Sequence, residues 1–248
     1  PTLVVCRTTI GFGAPGKSGT AAAHGSPLGS EEVAGARKML NWGAEPFEVP
    51  EEIRADWDMR SAGAEKEAAW AALFERYSKD HPELAAELGR RMRGELPADW
   101  KVGLDALATN AQANPESLET RKSSGACLDR LGPAIPELLG GSADLTGSNN
   151  TQWSGAGWLQ EGGRYLNYGV REFGMSAIAN GLALHGGIVP YTGTFLVFME
   201  YARNALRLAA LMRIRNILVD THDSVALGED GPTHQPVEQL TNLRTTPN

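Results

Sequence analysis

The sequence predicts an α/β fold: a parallel sheet flanked by helices, preceded by the helical end of a second α/β domain. Three observations carry that expectation. Apolar runs at 138–145, 186–191 and 216–221 have the length and flanking residues of buried strands. Segments with apolar residues at helical spacing alternate with them, as parallel strands joined by helices require. The stretch 30–96, by contrast, strings helix formers together with no strand pattern among them.

In chain order, residues 1–8 (PTLVVCRT) read as a buried strand, so the chain begins inside a strand, as a piece of a longer domain would. Residues 243–248 likewise stop just after a short helix. The run from Gly11 to Ser18 satisfies the phosphate-loop pattern, and Gly11, Gly13 and Gly16 satisfy the dinucleotide fingerprint. Neither opens a convincing helix, because Gly19, three alanines and His24-Gly25-Ser26-Pro27 follow. A flexible Gly-rich loop competes with both, and an ATP-binding protein dependent on Lys17 is one rival reading. Ser30, ahead of Glu31 and Glu32, reads as a helix N-cap. Helices are expected over 31–42, 50–59, 64–79 and 82–93, then a connector helix over 101–112. Arg121 stands in the first turn of a further helix, and Ser148 lies beyond the strand-then-loop at 138–145.

The stretch 167–207 organises the rest. A helix over 170–185 has Met175, Ile178, Ala179 and Leu182 at the spacing of a packed face. Glu172 in its first turn presents a carboxylate at a strand-to-helix corner, where α/β sheets hold ligands; complementing the helix dipole is the bland alternative. Residues 186–191 read as a buried strand ending in a turn, and a following helix spaces Phe195, Phe198 and Tyr201 at i, i+3 and i+6. Such a stripe is ordinary core packing or a shelf for a flat heterocycle. The strand at 216–221 delivers His222-Asp223-Ser224 and the loop Gly228–His234. Adjacent side chains do not form a hydrolase triad, and the metal-ligand spacing is missing.

Composition is that of a globular chain: 248 residues, 42% hydrophobic, 21% charged, with a net charge of −7. The acidic balance and the lack of a basic patch argue against nucleic acid. No apolar run reaches the length of a membrane span. Cys6 and Cys127 form no framework, so a reduced, cytoplasmic setting is the expectation. The Asn149-Asn150-Thr151 sequon carries no weight without a secretory signal.

The run YGVREFGMSAIANGLALHGG, then PYTGTFLVFMEYARNA, resembles the pyrimidine-binding domain of the transketolase family. AHGSPLG, GGSADLTGSN and GEDGPTHQPVEQL are similar to other blocks of that family, in the same order, and the match runs from Pro1 to Asn248. The resemblance implies a thiamine-diphosphate-binding fold. Residues 1–85 would be the end of the diphosphate-binding domain, 86–116 a helical linker and 117–248 a truncated pyrimidine-binding domain. It implies transfer of a two-carbon ketol unit between sugar phosphates, as in the pentose phosphate pathway, by a homodimer with its sites at the subunit interface. A sibling such as dihydroxyacetone synthase, or a non-catalytic partner chain, shares the same motifs.

The resemblance also assigns roles. Glu172 bonds the pyrimidine ring nitrogen beside Phe195, Phe198 and Tyr201, while Ile10, His24 and Asp144 lie near the rest of the cofactor. Arg121, Ser148 and His222 take the sugar phosphate. Asp230 takes a sugar hydroxyl, and His24 and His234 handle protons around the reacting carbons. The Gly-Asp-Gly…Asn segment that holds Mg2+ or Ca2+ in the family is not found here, so the metal's ligands are expected outside these residues. Arg7 stands where many relatives have lysine.

Overall fold

The computed structural model describes residues 2–224 and 226–248. The chain divides into two compact units, Pro1–Leu73 and Phe74–Asn248. The division falls within one long helix, α3.

The first unit contains α1 (Ser30–Met39), α2 (Glu51–Trp57) and the start of α3 (Arg60–Asp80). Residues 2–9 do not form the expected strand; Pro1 lies outside the described residues. Leu3, Val4 and Val5 are 88%, 74% and 80% exposed. A strand needs a neighbour for its backbone hydrogen bonds, and none is found in this unit among the described residues. Gly29, not Ser30, caps α1: at φ 91 it turns the chain, and its carbonyl accepts the Val33 N–H at 3.0 Å.

The second unit continues with α4 (Pro82–Met92), α5 (Val102–Ala113) and α6 (Thr120–Ala134). It then alternates: β1 (Leu138–Ser142), α7 (Thr146–Asn149), β2 (Tyr165–Asn167), α8 (Glu172–His185) and β3 (Val189–Phe195). A 3-10 helix (Leu196–Ala202) leads into α9 (Arg203–Met212), followed by β4 (Ile217–Thr221) and α10 (Gln239–Arg244). The four strands pair in parallel in the order β2-β1-β3-β4. The chain leaves β1 first toward one edge and then returns to the other side, so strand order reverses between β1 and β3. Open sheets of this kind take ligands at that switch point, beyond the strand carboxyl ends.

Leu128, Ile135, Leu138, Trp153, Tyr165 and Tyr191 form the main core cluster. Each large apolar side chain buried there contributes about 1.5–3 kcal/mol. Close strand approach dictates glycine at 141, where an added Cβ would lie 1.7 Å from the Leu166 carbonyl oxygen. Below β1, Arg90 of α4 makes a two-pronged ion pair to Glu137, at 2.7 and 2.9 Å. The Glu137 side chain is only 3% exposed.

Two elements depart from expectation near the site. The buried face of α8 is Glu172, Met175, Ser176, Ala179 and Asn180, while Ile178 is 51% exposed. Apolar spacing misplaced that face because three inward residues, Glu172, Ser176 and Asn180, are polar; Asn180 donates to the Ala205 carbonyl oxygen at 2.8 Å and accepts from Asn216 at 3.0 Å. The strand expected at 186–191 runs later and longer, and Phe195 is its last residue rather than part of a helix.

Candidate functional site

Glu172 is the first residue of α8, immediately beyond β2, after a turn in which Gly169 takes φ 66. Arg171 donates to the Tyr168 carbonyl oxygen at 3.0 Å, so this arginine closes the turn and does not neutralise its neighbour. The Glu172 side chain shares the inward face with Met175, and the residue is 7% exposed. Its carboxylate has no hydrogen-bond or ion-pair partner among the described residues. The carboxylate is thereby left open to a partner from outside the chain.

The aromatic shelf follows from 3-10 geometry. With three residues per turn, side chains at i and i+3 eclipse. Phe195 and Phe198 therefore stack at 5.6 Å with an interplanar angle of 10°, and Phe198 and Tyr201 follow at 6.3 Å. Phe195 is buried, Phe198 half-buried and Tyr201 69% exposed. The His222 ring lies on Phe195 at 3.7 Å. His234 stands edge-on to Phe195 and Phe198, at 6.0 and 5.0 Å. The two histidines that the sequence places on the loop after β4 thus meet the aromatics after β3.

Arg121, in the first turn of α6, donates to the Ser148 carbonyl oxygen at 3.2 Å, which brings these two residues together. A groove of about 280 Å³ beside them is lined by Arg121, His222 and Asp230, with Glu119, Asp223 and Glu229. Four carboxylates face one guanidinium there, so among the described residues Arg121 is the one fixed positive charge on an otherwise acidic lining. Burial, then the nearby Arg121 charge, push the His222 imidazole below its ordinary value. Asp144 follows β1 in the left-handed region, φ 62, with its side chain exposed at the same end of the sheet.

His24 and Ile10 belong to the first unit. His24 follows a single 3-10 turn, Ala21–Ala23, and is exposed; Ile10 is 47% exposed. The nucleotide-loop patterns fail there for a visible reason. The Glu32 carboxylate accepts the Gly16 N–H at 3.0 Å, where a phosphate oxygen would sit, and Lys17 donates to the Leu28 carbonyl oxygen at 2.8 Å. Among the described residues no group of three or more His, Cys, Asp or Glu is arranged to hold a metal ion, and no helix is long and apolar enough to cross a membrane.

Three residues went unnoticed in the sequence: Ser142, Asn149 and Thr221. Asn149 is wholly buried and joins the ends of β1, β3 and β4 by side-chain hydrogen bonds. Its sequon was the one visible signal, and burial removes it as a glycan acceptor.

An open parallel sheet whose strand ends carry a partnerless acid after β2, stacked aromatic rings after β3 and two histidines after β4 defines the class: an α/β protein with a candidate ligand site at its strand ends. Comparison with known proteins names the family. The profile described as "Transketolase, pyrimidine binding domain" matches residues 116–248, and "Transketolase, thiamine diphosphate binding domain" matches residues 1–97. The chain belongs to the transketolase family. It is 57% identical over 251 residues to Transketolase 1 of Vibrio parahaemolyticus, covering 100% of this chain and 38% of that protein. It is 58% identical over 250 residues to Transketolase 2 of Escherichia coli, with the same coverage. The Pichia stipitis transketolase structure in complex with sedoheptulose-7-phosphate superposes with a TM-score of 0.86 at 41% identity, covering 97% of this chain and 36% of that one. Transketolase from Leishmania mexicana gives 0.83 at 43% identity, with the same coverage. The chain therefore spans little more than a third of the length of these relatives.

Proposed function

We propose that this chain is the part of a transketolase that holds the pyrimidine of thiamine diphosphate and one end of the sugar phosphate, in transfer of a two-carbon ketol unit from a ketose phosphate to an aldose phosphate. The observation that carries this reading is the buried, partnerless carboxylate of Glu172 at the strand ends. It fits a ring nitrogen that shares a proton, and the stacked Phe195 and Phe198 fit the flat face of the same ring. When bound, thiamine diphosphate supplies the carbanion chemistry; the protein supplies orientation and proton placement.

Glu172 holds a proton at the pyrimidine nitrogen. Arg121 and the Ser148 hydroxyl take the phosphate, a guanidinium and a hydroxyl being suited to its oxygens. His222 donates to the same group, Asp230 accepts from a sugar hydroxyl, His234 holds protons near the reacting carbons and Asp144 lies near the cofactor's other ring. His24, for proton handling, and Ile10, beside the cofactor, serve a different site from Glu172 of the same chain. Residues 1–85, 86–116 and 117–248 serve as diphosphate-domain end, linker and pyrimidine domain. A divalent metal, Mg2+ or Ca2+, would be held by groups outside the described residues. The assembly would be a cytoplasmic homodimer with its sites between subunits. The solved relative bound to sedoheptulose-7-phosphate supports the sugar-phosphate class.

A chimera tests this. With this chain replacing the matching 250 residues of the E. coli relative, ketol transfer should be retained. Glu172→Ala should then lower turnover at saturating cofactor by about a hundredfold or more, the scale of lost acid–base assistance. Unchanged turnover would refute the role of Glu172.

A further inference from the structure

The carboxamide of Asn149 has a fixed orientation, because one of its partners cannot donate. Nδ2 lies 3.0 Å from the Thr194 carbonyl oxygen, an acceptor only, so nitrogen and oxygen are not interchangeable. The second Nδ2 hydrogen goes to Thr221 Oγ1, at 2.5 Å. On the other side, Oδ1 accepts from the Ser142 hydroxyl at 3.1 Å, and the Ser142 oxygen accepts the Leu145 N–H at 2.9 Å. Since Thr221 Oγ1 accepts from Asn149, its one hydrogen is left for His222 Nδ1, 2.9 Å away. A ring nitrogen that accepts carries no proton.

We propose that Asn149 and Thr221 are positioning residues that hold His222 neutral with its proton on Nε2, so that the ring offers a donor to the groove containing Arg121 and Asp230. The direction of the whole relay is set from the Leu145 N–H at one end and the Thr194 carbonyl at the other. Were Nδ1 protonated, the Thr221 hydroxyl would have to accept twice, and its own hydrogen would lose its acceptor in a residue 6% exposed. The Phe195 stack at 3.7 Å and the left-handed backbone of His222, φ 55, fix the ring plane independently. Burial and the Arg121 charge push this imidazole below its ordinary value, in agreement with a neutral donor. What Nε2–H donates to, a phosphate oxygen, rests on the proposed function; the tautomer does not.

The test is a two-bond 1H–15N correlation spectrum of the 248-residue chain labelled with 15N-histidine, near pH 7. The five histidines are assigned by single His→Gln replacements. His222 should show a pyridine-type Nδ1 and a pyrrole-type Nε2, without the exchange mixture of free imidazole. Thr221→Val should bring that mixture back, and Thr221→Ser should restore the wild-type pattern. Asn149→Asp should reverse the relay: the new carboxyl accepts from the Thr221 hydroxyl, whose oxygen then accepts from a protonated Nδ1. A protonated Nδ1 in the wild-type chain overturns the proposal even if every variant fails to fold. So does a folded Thr221→Val chain with the wild-type pattern. Adding inorganic phosphate separates the two ideas: an unmoved Nε2 signal overturns the phosphate reading alone.

Discussion

Replacing Arg90 with Met should cost the second unit about 3–4 kcal/mol at pH 7, and the loss should shrink in acid. Arg90 grips both oxygens of Glu137, whose side chain is 3% exposed and stands just before β1. The Glu137 backbone carbonyl also accepts the first N–H of β3, from Val189 at 2.9 Å, so the pair anchors the amino ends of both central strands. Burial, the largest single influence, would raise the Glu137 carboxyl, but the Arg90 hydrogen bonds, a backbone hydrogen bond and the charges of Arg90 and Arg91 together outweigh it and leave the group below its ordinary value. Removing one partner of a buried pair costs about 3–5 kcal/mol. The variant's escape is to protonate Glu137, which from an ordinary pKa near 4.3 costs about 3.7 kcal/mol at pH 7 and about 1 kcal/mol at pH 5. The sign follows from linkage. A carboxyl lowered in the folded state stabilises above its unfolded pKa, and that contribution is lost as pH falls through the folded value. At pH 5 that wild-type contribution is still present; the gap narrows because in Arg90→Met the unpaired, buried Glu137 carboxyl is raised and takes up a proton as pH falls from 7 toward the ordinary carboxylate range. Urea unfolding followed by fluorescence of Trp100, Trp153 and Trp158, which pack in the adjoining core, reads the difference. A loss below about 1 kcal/mol at pH 7, or one that is undiminished at pH 5, would refute the reasoning.

Two further predictions bear on the sheet and the groove. Gly141→Ala places a methyl 1.7 Å from a backbone oxygen that cannot swing away, so β1 and β2 must part; loss of about 3 kcal/mol or more is expected by urea unfolding, and a wild-type midpoint would contradict the register. Arg121→Ala in the chimera should raise KM for phosphorylated sugars by tenfold or more, about 1.5 kcal/mol for a charged hydrogen bond, and leave unphosphorylated ketoses nearly unchanged. Equal loss on both would argue against phosphate binding.

How much was legible in the sequence differs between the units. The strands at 138–142 and 217–221 announced themselves by apolar runs, and Glu172 by its place ahead of a helical pattern. The inward face of α8 did not, because Ser176 and Asn180 are buried through hydrogen bonds, which hydrophobic spacing cannot register. The stripe of Phe195, Phe198 and Tyr201 was visible, but its spacing of three suits a 3-10 turn better than the expected α-helix, and only the turn explains the stacking. Residues 1–8 looked like a strand from composition alone, whereas a strand exists only by pairing, and residues 2–8 have no strand partner among the described residues. The Asn149 relay was invisible for a similar reason: its members come from three separate strand ends.

The most direct measurement is the 15N chemical shift of the pyrimidine ring nitrogen in thiamine diphosphate labelled at that atom and bound to the chimera. With Glu172 present the signal should move toward the protonated position, and with Glu172→Gln it should return toward that of the free, unprotonated ring. The same shift in both proteins would contradict the claim that this buried acid holds a proton on the cofactor.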